Sequence, residues 1–175
     1  MLIIYTGTGK GKTTAAFGLA LRASGYGQKV CILQFVKEES WPEGARVAIR
    51  KHLKNITIKA LGSGFVGIMG DQKPLEEHQQ SAAIALKEAE KAIRSKKYNL
   101  IILDELLGSL HGGLLNDSDV QNLLLTANRY PLTALVLTGR HAPQWLIDKA
   151  DLVTEMKEVK HPFQKGLQAK KGIDF

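Results

Sequence analysis

Close to the start of the sequence, "TGTGKGKTT" (Thr6 to Thr14) sets three glycines and two lysines among four threonines. These residue types at this spacing suit the binding of linked phosphates. Glycine backbones at Gly7, Gly9 and Gly11 can turn N–H groups toward anionic oxygens, and a helix starting just after them offers its positive end. Lys12 supplies a mobile ammonium for terminal phosphate oxygens, and the Thr13 hydroxyl stands where a Mg2+ or Mn2+ ion is met. Gly11-Lys12-Thr13 matches the end of the general phosphate-loop pattern, but its first position is Thr6, with the glycine displaced to Gly7. A literal pattern search passes over it. The physical requirements are met all the same, so Gly7, Thr8, Gly9, Lys10, Gly11, Lys12, Thr13 and Thr14 are the expected nucleotide ligands.

A loop of this kind needs a carboxylate at the end of another buried strand to hold the metal. "LIILDEL" supplies Asp104 and Glu105 where an apolar run ends, and two adjacent buried carboxylates are costly without a cation or donors. Thr13, Asp104 and Glu105 are therefore the candidate metal residues. If the strand continues through both acids, alternation sends only one of them to the metal; a helix N-terminal acid is the competing reading of this pair. Arg140, in "LTGRHAP", falls on the rim where open α/β sheets bind ligands. It is either a phosphate ligand or half of a structural ion pair.

The elements that must carry these residues alternate along the chain. Strands are expected at Leu2 to Thr6, Lys29 to Phe35, Ile56 to Leu61, Asn99 to Asp104, Thr133 to Gly139 and Leu152 to Val159. Four or more helices lie between them. The clearest runs from about Pro74 to Ser95, with Leu75, Gln79, Ala82, Leu86, Ala89 and Ile93 on one stripe. Asn116 to Tyr130 and the stretch after Pro143 also read as helices. Strand–helix alternation is the mark of an α/β domain with a mainly parallel sheet. The glycine-rich stretch Gly62 to Gly70 reads as a loop, and the tail from about 160 shows no regular pattern.

The 175 residues are enough for one domain, residues 1–175, and no second one is required. A chain 44% hydrophobic and 23% charged, with apolar runs far short of the roughly 20 residues of a membrane span, reads as soluble. With no basic region ahead of an apolar stretch at the N-terminus, a cytoplasmic location is expected. Cys31, the one cysteine, excludes an internal disulfide and sits in an apolar strand as a core thiol. The net charge of +7 is spread over scattered lysines without a block of like charge. An anionic small ligand with ordinary solubility explains the excess as well as nucleic acid or a membrane would; a nucleotide-gated RNA or DNA binding module is a further reading that draws only on this charge, and neither nucleic acid nor a membrane is the expected partner.

Taken in order, "TGTGKGKTTAAFGLALRASGYGQKVCILQFVK", "LGSGF", "YNLIILDEL", "LVLTGRHAPQWLIDKADLVTEMKEVKHPF" and "GIDF" resemble the ATP:corrinoid adenosyltransferases of the CobA/BtuR type. The resemblance runs from Met1 to Phe175. It implies a P-loop NTPase-like (RecA-like) three-layer domain with a roughly six-stranded sheet. It also implies that the 5'-deoxyadenosyl group of ATP is transferred to the cobalt of a reduced, Co(I) corrinoid, with inorganic triphosphate released. Lys10 and Lys12 would then be the catalytic residues that stabilise the leaving triphosphate, alongside the metal.

Further implications follow from the same likeness. ATP lies in the loop in the reverse of the usual direction, an electron-donating reductase supplies Co(I), and the protein is a homodimer. Phe65 matches an aromatic that displaces the lower axial ligand of cobalt. The tryptophan common shortly after it is absent, with Gly67 and Ile68 in its place, and Glu38 replaces the glycine usual after Gln-Phe-x-Lys. The chain as given begins at the first strand, without the N-terminal extension many members carry, so closure over the nucleotide is expected to differ. The tail lies near the site in this family, which brings His161 and Lys165 into consideration. For His161 and His111 a structural or surface role is expected.

A competing reading is a phosphoryl-transfer enzyme on the same loop, a nucleoside kinase or NTPase. A kinase requires a positioned base for its acceptor hydroxyl, and no residue marks one.

Overall fold

The structure, a computed structural model, describes residues 1–67 and 70–174. Six strands, β1 (Leu2–Thr6), β2 (Val30–Gln34), β3 (Ile56–Ala60), β4 (Leu100–Asp104), β5 (Ala134–Thr138) and β6 (Leu152–Glu155), form one sheet in the order β3-β2-β4-β5-β1-β6. Each pairing is parallel. The crossovers carry α1 (Lys12–Gly25), α2 (Gly44–His52), α3 (Leu75–Arg94), α4 (Leu106–His111), α5 (Asp117–Asn128) and α6 (Gln144–Ile147).

The pattern of burial explains the layering. All five residues of "VCILQ" in β2 and of "LIILD" in β4 are buried, as befits central parallel strands covered on both faces. Alternate side chains go to opposite layers. Ile3, Ile32, Ile102 and Val136 pack with Ala16 and Ala20 of α1 and Ile49 of α2. Ile4, Leu33, Leu103 and Leu137 pack with Ala82, Ala85 and Ala89 of α3 and Leu123 of α5. The alanines of α1 and α3 keep those helices close to the sheet. This is the expected three-layer α/β architecture, and the parallel, six-stranded sheet matches the expectation drawn from the sequence.

Cys31 is a core residue on the α3 side, and burial pushes its thiol up to about 11. At neutral pH it carries no thiolate.

Two helices, α2 and α4, were not read from the sequence. Alpha-four is short and follows β4 with a single intervening residue, Glu105, whose left-handed backbone (φ 60°) turns the chain. The sixth strand is shorter than expected, ending at Glu155 where Val159 was anticipated. Its continuation is diverted, because the Met156 carbonyl accepts a 2.6 Å hydrogen bond from the Gly9 amide. The tail carries a 3-10 turn at Pro162–Lys165.

Beta-one carries the phosphate loop and β4 carries Asp104, with β5 between them in the sheet. The carboxyl ends of all three strands open on the same side, where ligands bind in such sheets.

Candidate active site

The loop joining β1 to α1 wraps close around its own lysine. Lys12 is 7% exposed, and its Nζ donates to the carbonyls of Gly7 (2.9 Å) and Gly9 (2.7 Å). Burial holds this ammonium below the usual lysine range; the Glu105 charge opposes that shift and Arg140 adds to it. Gly7 has a φ of +99°, and a Cβ there would come within 2.4 Å of the Met156 carbonyl. Only glycine fits, because the segment after β6 lies against the loop. Gly11, at φ +117°, is the N-cap of α1 without a side-chain cap, so the first-turn amides of that helix face outward for an anion. At Gly9 the structure differs from the expectation of three inward amides: that N–H is given to Met156.

Beneath the loop lies a hydrogen-bonded carboxylate. Asp104 is fully buried; its Oδ1 accepts from Thr13 Oγ1 and from Thr138 Oγ1, each at 2.8 Å. Oδ2 accepts from Gln34 Nε2 at 3.1 Å. Three donors explain how a buried charge is tolerated there. Glu105 is held differently, since the strand does not continue through both acids as the alternation argument assumed. Its left-handed backbone brings this side chain to the cleft wall while Asp104 stays below Thr13. Burial, then the Asp104 charge, pushes Glu105 above the usual carboxylate range, with Lys12, Lys37 and Arg140 pulling it back.

These groups open onto a cleft of about 870 Å³, the size of a small-molecule site. Thr8 to Thr14, Glu105, Arg140 and Phe65 all line it. Residues from four separate segments predicted from the sequence are thus assembled around one space; Gly7 and Asp104 support it from behind. Arg140 acts on Lys12 and Glu105 through its charge. Phe65 is half-buried and meets the Trp41 ring edge-on, centroids 6.2 Å apart and planes at 72°. Gly67, beside it, donates its amide to Asp71 at 2.8 Å. Ile68 and Phe175 lie outside the described residues.

Several cleft residues escaped the sequence reading. Lys37 forms an ion pair with Glu43, and both line the cleft. The Gln-Phe-x-Lys motif was visible, but nothing local marked its lysine as a site residue. Glu38, the replacement for glycine, pairs with Lys73 at 2.7 Å, and Lys73 also donates to the Ser63 carbonyl at 2.6 Å. That clamp joins the loop of Trp41 to the loop of Phe65. His111 and His161, expected in structural or surface roles, are cleft residues, and the His111 ring stacks on that of His141 with centroids 4.1 Å apart. The tail reaches the same space: Asp174 pairs with Lys10, which holds the Asp174 carboxyl below its usual range. Lys165 is exposed.

The residues present suit Mg2+ or Mn2+. Thr13, Asp104 and Glu105 offer only oxygen atoms, and burial followed by the Asp104 charge holds Glu105 above the usual carboxylate range, a strain that a cation would relieve. Among the described residues no group of three or more His, Cys, Asp or Glu side chains is arranged to hold a metal ion. An Mg2+ ion that arrives with phosphate and water takes only one or two protein carboxylates.

A parallel sheet, a glycine-rich strand-to-helix loop enclosing a lysine, and a threonine bonded to the aspartate of a neighbouring buried strand are the framework of a phosphate-loop α/β fold. Residues 1–175 match the family model described as ATP:corrinoid adenosyltransferase BtuR/CobO/CobP. A corrinoid adenosyltransferase of a Sinorhizobium species is 35% identical over 179 residues, covering all of this chain and 80% of its own. Corrinoid adenosyltransferases of Pseudomonas aeruginosa (34%, 83% of its length) and Escherichia coli K12 (33%, 85%) likewise cover the whole chain. The chain belongs to the ATP:corrinoid adenosyltransferase family and is, with it, a transferase.

Proposed function

We propose that this protein transfers the 5'-deoxyadenosyl group of ATP to the Co(I) centre of a reduced corrinoid and releases inorganic triphosphate. The observation that carries this reading is that the phosphate loop and Phe65 line the same cleft, so one end can hold the leaving group while the other receives the corrinoid. Cobalt attacks carbon 5', the cobalt–carbon bond forms, and the bond from carbon 5' to the α-phosphate oxygen breaks with its electron pair leaving on triphosphate. Cobalt ends formally as Co(III). No side chain has to act as a base, because the nucleophile is already an electron-rich metal.

The protein's share is alignment and charge. Lys12 exchanges its bonds to the Gly7 and Gly9 carbonyls for triphosphate oxygens, Lys10 leaves Asp174 to do the same, and Arg140 faces the phosphates from the rim. The free loop amides and the start of α1 complete the cradle. Thr13 and Glu105, with Asp104 bonded behind Thr13, would hold Mg2+ or Mn2+, which neutralises charge on the phosphates. ATP lies in the loop in the reverse of the usual direction. Phe65 occupies the position that displaces the lower axial ligand of cobalt, and Trp41 backs it. A reductase supplies the electron, and the protein works as a cytoplasmic homodimer, residues 1–175 forming one domain in each subunit with the tail from about 160 at the cleft. Among the described residues no helix is long and apolar enough to cross a membrane.

The test is product analysis. With ATP, Mg2+ and a chemically reduced corrinoid, phosphorus NMR should find triphosphate equal to the adenosylated corrinoid formed. Orthophosphate or ADP as the main product would instead favour the kinase or NTPase reading.

A further inference from the structure

The residues on either side of Phe65 are tied to each other by a chain of hydrogen bonds that runs through one buried histidine. Ser63 Oγ lies 2.9 Å from Nδ1 of His78, and Nε2 of the same ring lies 3.1 Å from Oδ2 of Asp71. That oxygen also accepts from the Gly67 amide at 2.8 Å. Ser63 stands two residues before Phe65 and Gly67 two after it, so the bonds close a ring across the turn that presents this aromatic. His78 is 2% exposed and comes from the first turn of α3, on the helix face that continues through Ala82, Ala85 and Ala89 into the core. The turn is therefore fastened to the body of the protein. The Ser63 carbonyl is held as well, by the Lys73 ammonium at 2.6 Å.

The direction of these bonds follows from Asp71. Its carboxyl is held below the usual range, first by the bond from the Gly67 amide, so it accepts and Nε2 of His78 donates. Nδ1 of a neutral ring is then an acceptor for the Ser63 hydroxyl. A protonated ring donates from both nitrogens and the hydroxyl turns to accept, so the chain persists in either state. Serine, histidine and aspartate in a row also form nucleophilic triads, but the order here is the wrong one. In a triad the serine meets Nε2 and the acid meets Nδ1, the reverse of the arrangement at His78. Ser63 is 9% exposed, and among the described residues neither it nor His78 lines the cleft, whereas Phe65 does.

We propose that His78 is a positioning residue for transfer to the corrinoid: by joining Ser63 to Asp71 and Gly67 it fixes the turn that aims Phe65 into the cleft. This rests on the function proposed above. A turn with glycines on both sides of its aromatic, Gly64 at φ +105° and Gly67 at φ +67°, has many conformations open to it. The ring closed through His78 removes most of them before the corrinoid arrives, so corrinoid binding does not have to supply that order.

Double-mutant kinetics on the full chain, with ATP, Mg2+ and a chemically reduced corrinoid that carries a lower axial ligand, test this. Ser63→Ala should lower kcat/KM for the corrinoid by about three- to tenfold, the worth of one hydrogen bond. His78→Leu should lower it further, since both links are lost. Calorimetric affinity for ATP with Mg2+ should match wild type in both variants. Either change made on top of Phe65→Ala should cost little more, because the residue through which it acts is gone. Losses that multiply with that of Phe65→Ala, or an ATP affinity that falls in step with kcat/KM, would mean that His78 merely supports the fold, and the inference is overturned. So it is by a Ser63→Ala enzyme with wild-type kcat/KM, a result that can be read even where His78→Leu does not fold, and by a Phe65→Ala enzyme that turns over normally. A wild type that forms no adenosylated corrinoid takes the proposed function down as well; normal turnover by the wild type and by Ser63→Ala sinks only the role of His78.

Discussion

Truncating Lys12 to alanine tests the phosphate loop most directly. Its ammonium is bonded to the Gly7 and Gly9 carbonyls and is held below its usual pKa by burial. It is therefore a charge that the fold keeps in a poorly solvated place at some cost. Removing it deletes two hydrogen bonds but also that desolvation, so the opposing effects on stability should largely cancel. A shift within a few degrees is expected, since roughly 2–4 °C corresponds to 1 kcal/mol in a chain of this size. The effect on turnover should be of another order. In the proposed reaction the negative charge already on the triphosphate grows as the carbon–oxygen bond breaks, so a Lys12 contact to it would be stronger in the transition state than in the ground state. Loss of one such preorganised donor costs about 10²–10³ in kcat, or roughly 3–4 kcal/mol. Steady-state kinetics with chemically reduced corrinoid should show kcat falling by that factor and KM for ATP moving much less, while the melting temperature stays close to wild type. Lys12→Arg should restore little, because the loop closes around one compact ammonium that is 7% exposed and a guanidinium is larger and planar. A kcat within about tenfold of wild type, or a loss carried entirely by KM, would refute the leaving-group argument.

Other outcomes can be stated more briefly. Phe65→Ala should impair corrinoids that carry a lower axial ligand far more than those that lack one, and Trp41→Leu should act in the same direction by up to about tenfold, the worth of an edge-on aromatic contact; equal losses on both substrate types would remove Phe65 from ligand displacement. Glu105 has a folded-state pKa above its unfolded value, so the folded chain binds its proton more tightly. Its contribution to stability is therefore full below about pH 4.3 and lost as pH rises through the raised value. Glu105→Gln should melt higher than ligand-free wild type at pH 7, with that advantage shrinking toward pH 4, and should turn over more slowly. An advantage independent of pH would mean that Glu105 is not strained by its charge.

The phosphate loop, the strands and the carboxylate pair were readable because each is written in contiguous residues. Glycines and lysines between an apolar strand and a small-residue helix have few physical uses, and "LIILDEL" announces a buried strand ending in acid. Resemblance to the family supplied the role proposed for Phe65, which its glycine-rich surroundings alone would not have done. What stayed hidden depends on chain segments far apart. Thr13 meets Asp104 across 91 positions and Lys10 meets Asp174 across 164. No local signal told that the residues after β6 would bend over the loop and take the Gly9 amide.

The sequence by itself determined the layered parallel sheet, through buried runs of strand length, and the phosphate loop, through residues whose backbone and charge suit little else. Tertiary structure decided which of two adjacent acids lies under Thr13 and which reaches the cleft, because the left-handed turn at Glu105 breaks the alternation a strand would impose. It also decided that Glu43 lines the cleft and that Trp41 meets Phe65. Their types are unremarkable along the chain, and only the folded chain brings Lys37 and Gln34 to Glu43 and Phe65 to Trp41.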